Sequence, residues 1–104
     1  MGLRTLLGAV LPLRFTAAVL LRRGVEHIRP EQRPLPDVFY DEFVGEVICM
    51  HEFMGKKGIA LKSAVVSDIE RDIIVIAALL DGERSPVFPD DGMHMRLLRK
   101  HGLI

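Results

Sequence analysis

From Asp37 onward apolar and polar positions alternate with a helical beat. Phe39, Phe43, Val47, Met50 and Met54 recur at spacings of 4, 4, 3 and 4, which places them on one stripe of an α-helix. Tyr40 and Val44 widen the stripe, while Asp41, Glu42, Glu46 and Glu52 fall off it. Asp37 suits an N-cap. "KKG" at 56–58 supplies cations for the C-terminal dipole and a glycine stop.

A second helical run follows, beginning around Ser63 or Ser67, with "SDIE" at 67–70 matching a capping box. Val66, Ile69, Ile73, Ile76 and Leu80 repeat at 3, 4, 3 and 4, close to a coiled-coil seam. Gly82 ends it. From Ile73 the run "IIVIAALL" is apolar on every face, which predicts burial on all sides. The same β-branched run also fits a buried strand.

Ahead of this hairpin lies a segment of different character. Residues 1–33 hold Arg4, Arg14, Arg22 and Arg23 among Leu, Ala and Val, with no acid before Glu26. Arg-rich, acid-poor and amphipathic is the composition of a mitochondrial presequence. The plainer alternative is an amphipathic helix of a soluble domain, with Pro12 in its first turn and Gly24 as its stop. "TLLGAVLPLRFTAAVLL" at 5–21 is 17 positions long and contains Pro12 and Arg14. A membrane span needs about 20 mostly apolar residues, and a central Arg costs roughly 2.5–3.5 kcal/mol on insertion scales. The segment falls short of an isolated span, leaving contact with a membrane surface or with partner helices.

"RPEQRPLPD" at 29–37 carries three prolines and reads as an extended linker. "ERSPVFPDDGMHMRLLRKHGLI" has two prolines, a turn and a short helix, with Asp90 and Asp91 at its start and Arg99, Lys100 and His101 at its end. That charge order suits the helix dipole. The chain is thus expected to be mainly α, in three parts. Residues 1–33 form an Arg-rich amphipathic or membrane-associated arm, 34–82 a helical hairpin, and 83–104 a proline-containing tail with a short basic helix.

Composition adds two constraints. Net charge is zero over 104 residues, yet it is +4 in residues 1–33, −7 in 34–91 and +3 in 92–104. A hairpin of under about 50 residues seldom holds a self-sufficient core without a staple or a partner. The single cysteine, Cys49, rules out an internal disulfide framework.

The only cluster of soft ligands is "ICMHEFM" at 48–54, echoed by "MHM" at 93–95. At 100° per residue Cys49 points about 100° from Met50 and about 140° from Met54, so the group does not converge on one helix face. Met50 and Met54 are expected in the core and Cys49 outside it. No phosphate loop, nucleophile elbow or dinucleotide fingerprint occurs. His27, His51, His94 and His101 are scattered, and Glu70, Arg71 and Asp72 read as a solvated patch. No catalytic residue, metal or cofactor is expected.

These features predict a non-catalytic accessory subunit of a larger assembly, foremost a mitochondrial inner-membrane complex of the respiratory-chain or ATP synthase type. Protein subunits are the expected partners, with lipid contact through residues 1–24 and nucleic acid disfavoured by the acidic body. The interface candidates are Arg4, Arg14, Arg22, Arg23, Phe39, Phe43, Val47, Met50, Met54, Ile69, Ile73, Ile76 and Leu80. The competing readings are an organellar ribosomal protein and a soluble, cytoplasmic bacterial or phage assembly protein.

Overall fold

Hydrogen-bonded backbone and apolar spacing resolve into four helices in a computed structural model that describes residues 12–30, 34–83 and 92–104. They are α1 (Leu13–Ile28), α2 (Asp37–Phe53), α3 (Gly58–Leu80) and α4 (Gly92–Lys100). No strand occurs among the described residues, so the "IIVIAALL" run is helical. The α2–α3 hairpin is present, α1 lies against both of its arms, and α4 sits across both as well. Leu21 and Val25 of α1 and Leu97 and Leu98 of α4 share one core with Phe39, Tyr40, Phe43, Val44, Val47, Val65, Ile69 and Ile76. The three sequence segments therefore build a single core. Arg4, most of the proline linker's centre, Asp90 and Asp91 lie outside the described residues.

Several boundaries differ from expectation. Gly24 does not stop α1, which runs on to Ile28. Its role is spatial, since a Cβ there would stand 2.7 Å from Ile73 Cγ1. The missing side chain lets α1 approach α3 closely. Asp37 is the first helical residue of α2 and makes no side-chain cap; Pro36 precedes it in extended conformation. Its negative charge near the helix start remains favourable.

The stop after α2 is Gly55, with φ +85, not the glycine of "KKG". Gly55 N–H bonds to Glu52 O and Lys56 N–H to His51 O, the paired closure of a Schellman motif. The same two bonds recur around Gly82 and Gly102. Gly58 instead opens α3, so Ser67 is mid-helix and caps nothing.

The buried faces are also rotated from the predicted stripes. Met50 is 45% and Met54 64% exposed, so neither is core, and His51 is buried in their stead. On α3 the buried line is Val65, Ile69, Asp72, Ile76 and Leu79. Val66, Ile73 and Leu80 are only half-buried, and Ile74 faces out, so the helix is not enclosed on all sides.

Candidate docking surface

Three histidines tie the helices together. His51 Nε2 on α2 lies 2.5 Å from Asp68 Oδ2 on α3, and His94 Nε2 on α4 lies 2.7 Å from Asp72 Oδ1 on α3. An ionised carboxylate only accepts, so each Nε2–H donates. Asp68 also pairs with Arg71. His101 Nε2 donates to Glu42 Oε1 at 3.1 Å, and Lys100 Nζ to Glu42 Oε2 at 2.6 Å. Asp68 and Asp72 are one helical turn apart, so α3 presents a ladder of acids to two different neighbours.

Burial raises the Asp72 carboxyl above its ordinary range, against the lowering effect of the His94 hydrogen bond. The Lys100 hydrogen bond holds Glu42 below its ordinary range. The expected solvated patch is therefore wrong for Asp72, which is 4% exposed, though Glu70 and Arg71 do lie outside. A His–Asp pair can activate a nucleophile only through the second ring nitrogen. His51 Nδ1 is itself buried and bonded to nothing, and so has no atom to turn toward a substrate. The His51–Asp68 pair thus braces α2 against α3.

The residues of "ICMHEFM" scatter accordingly. His51 points inward to Asp68, while Cys49, Met50 and Met54 face solvent. Of the interface candidates, Phe39, Phe43, Val47, Ile69 and Ile76 are buried in the chain's own core, and Ile73 and Leu80 are half-buried against it. Arg22 is bound to Asp37 and lies 5.2 Å from the centre of the Tyr40 ring. Arg14 and Arg23 are exposed.

A groove of about 250 Å³ lies beside Arg22, walled by Phe15, Ala18 and Val19 of α1 and by Asp37, Tyr40 and Asp41 of α2. It falls below the roughly 300 Å³ floor of small-molecule pockets. Tyr40 backs it with a phenol pushed up to about 12, mainly by burial.

The surface that stands out is the α2–α3 turn. Phe53 is 91% and Ile59 85% exposed. Met50, Phe53 and Met54 share one face of the last turn of α2, being three and four positions apart. The methionines expected in the core therefore belong to this exposed surface, together with Phe53 and Ile59. Ile59 stands seven positions before Val66, in register with the expected seam, and is exposed because the observed buried line of α3 runs through Val65, Ile69 and Asp72 instead. These exposed side chains at one end of the hairpin make the α2–α3 turn the candidate surface.

No protein-family model matches the chain, and neither do any of the curated proteins or solved structures compared with it. No helix among the described residues is long and apolar enough to cross a membrane.

Proposed function

We propose that the chain is a non-catalytic accessory subunit that joins a larger, membrane-associated assembly through its α2–α3 turn. One observation carries this: an apolar tip lies outside a core that is already closed by α1 and α4. A shortage of core in the hairpin no longer argues for a partner, because the chain supplies its own. The tip does. Its exposed Phe53, Met54 and Ile59 take no part in that core.

The compartment that fits the Arg-rich arm is the mitochondrial inner membrane or its surface. Since Leu21 and Val25 belong to the core, the arm would have to stay on the mature chain. A nucleic-acid role is less well supported, because Arg96 and Lys100 of the tail are engaged by Glu46 and Glu42.

The test is recovery of the tagged chain from its native cells, beside a Phe53→Ser/Ile59→Ser variant. The parent should migrate with partners at high mass in the membrane fraction. The variant should keep its helicity and melting temperature, since both positions are exposed, and lose those partners. A parent that runs as a monomer, or a variant that keeps its partners, would overturn the reading.

A further inference from the structure

Between Phe53 and Ser67 the sequence contains Lys56, Lys57 and Lys62 and no Asp or Glu. Lys57 and Lys62 are exposed and Lys56 half-exposed. Among the described residues none of the three takes part in an ion pair, although most other basic groups in the helices do. Glu52 precedes Phe53 at the end of α2, and the nearby Asp68 is engaged by His51 and Arg71. Apolar side chains and three lysines without an ion pair therefore lie together around the α2–α3 turn, where the sequence from Met54 to Val66 holds no acid.

We propose that this turn seats on an anionic lipid bilayer. Phe53, Met54 and Ile59 enter the boundary between headgroups and acyl chains, and Lys56, Lys57 and Lys62 lie over the phosphates. The inference rests on the docking reading above and names the partner of that same surface.

Three features favour a bilayer over a protein groove. A side chain nine-tenths exposed protrudes, which suits insertion into a soft surface. Lysine is depleted from protein–protein interfaces, whereas lysines beside apolar anchors add attraction to anionic lipid. The apolar patch is also small, whereas a stable protein interface takes about 800 Å² from each partner, so a protein seated here would need further contacts elsewhere on the chain. The acids Asp41, Glu42 and Glu46 lie about 10–18 Å back along α2 at 1.5 Å per residue. At that distance an anionic surface repels them only weakly through screened solvent, and the repulsion orients the tip downward.

The experiment is flotation of the full chain with vesicles of phosphatidylcholine alone or mixed with phosphatidylserine, at about 0.1 M and about 0.5 M salt, which shortens the screening length. The parent should bind the anionic vesicles at least about tenfold better than the neutral ones, with the difference shrinking at high salt. Phe53→Ser/Ile59→Ser and Lys56→Glu/Lys57→Glu should each lower anionic binding about tenfold, with unchanged circular dichroism. Equal binding to both vesicles, no binding to either, or variants that bind like the parent would overturn the proposal. So would a concentration-dependent dimer abolished by the serine pair, which would make a second copy the occupant. The two readings fail separately. If vesicles capture nothing while the serine pair still loses its cellular partners, a protein covers the tip and the subunit reading stands. If vesicles bind but no partner is ever recovered, the lipid contact stands and the subunit reading falls.

Discussion

Burial disfavours the Asp72 carboxylate, and the His94 imidazole that donates to it works in the opposite direction. The net effect is a folded-state pKa above the unfolded one. By linkage, the stability that protonation of Asp72 contributes is complete below its ordinary value of 3.8 and is lost as pH rises through the raised folded value, leaving the His94 hydrogen bond as what Asp72 supplies at neutral pH. Glu42 has the opposite sign. Its folded pKa is lowered, first by Lys100, so its contribution is present above the ordinary value of 4.5 and is lost as pH falls through the lowered one. Asp72→Ala removes the acceptor of a buried His94 Nε2–H and should cost about 1–3 kcal/mol in urea unfolding at neutral pH. An Asp72→Leu/His94→Leu double variant should cost less than the two single changes combined, because neither polar group is then stranded. A single-variant cost below about 0.5 kcal/mol, the range of ordinary surface changes, would show the pair to be inert. Glu42→Gln should flatten the fall of melting temperature on acidification below about pH 4.5, where the parent begins to lose this contribution. Cys49→Ser touches an exposed side chain and should stay within about 0.5 kcal/mol.

Those same buried polar groups explain which parts of the elements could be read from the sequence. Phe39, Phe43 and Val47 were legible as a buried stripe, as were the helical hairpin and the short tail helix, because apolar periodicity encodes them locally. The stripe was followed wrongly to Met50 because His51 is polar. With Tyr40 and Val44 given full weight, the buried face centres roughly 30° further round at 100° per residue, toward His51. On α3, treating Asp72 as surface moved the seam to Ile73, when Ile69, Asp72, Ile76 and Leu79 are the buried register. Both errors sit at members of His–carboxylate pairs. The partners, Asp68 for His51 and His94 for Asp72, lie 17 and 22 positions away, and single-helix periodicity carries no information at that range. Gly24 is the third case, where a stop signal proved to be a crossing point. The Gly24–Ile73 contact makes a sharp test. Gly24→Ala gains about 1 kcal/mol of helix propensity but pushes a methyl group into Ile73, an overpacking cost of about 1–3 kcal/mol. Alone it should be neutral to destabilising. In an Ile73→Ala background it should stabilise by about 1 kcal/mol. Equal effects in the two backgrounds would mean that the helices do not meet there.

At the scale of the whole molecule, the uneven charge layout has an internal explanation. The arm's Arg22 and Arg29 bind Asp37 and Asp81, and the tail's Arg96 and Lys100 bind Glu46 and Glu42. A basic arm and a basic tail thus clasp an acidic hairpin. Surface pairs of this kind are worth about 0–1 kcal/mol each, so they set the placement of α1 and α4 more than they hold it. Apolar burial holds it. Leu21 and Val25 share a core with Phe39, Tyr40, Ile69 and Ile76, and fully burying one such side chain is worth about 1.5–3 kcal/mol. Removing α1 therefore takes away several kilocalories from a domain whose total stability should be of order 5–15 kcal/mol, and it opens the hairpin on one side. A chain that starts at Pro34 should bind a hydrophobic dye and melt without a cooperative transition, where the full chain melts sharply. High salt should change the full chain's melting temperature little, since the exposed pairs it screens contribute little. This truncation separates the two uses of the arm read from the sequence. An arm that is only an address would leave the shortened chain as cooperative as the parent. An arm that is the third wall of the core makes its loss equivalent to unfolding, and α1's fully buried Leu21 and nearly buried Val25 place it there.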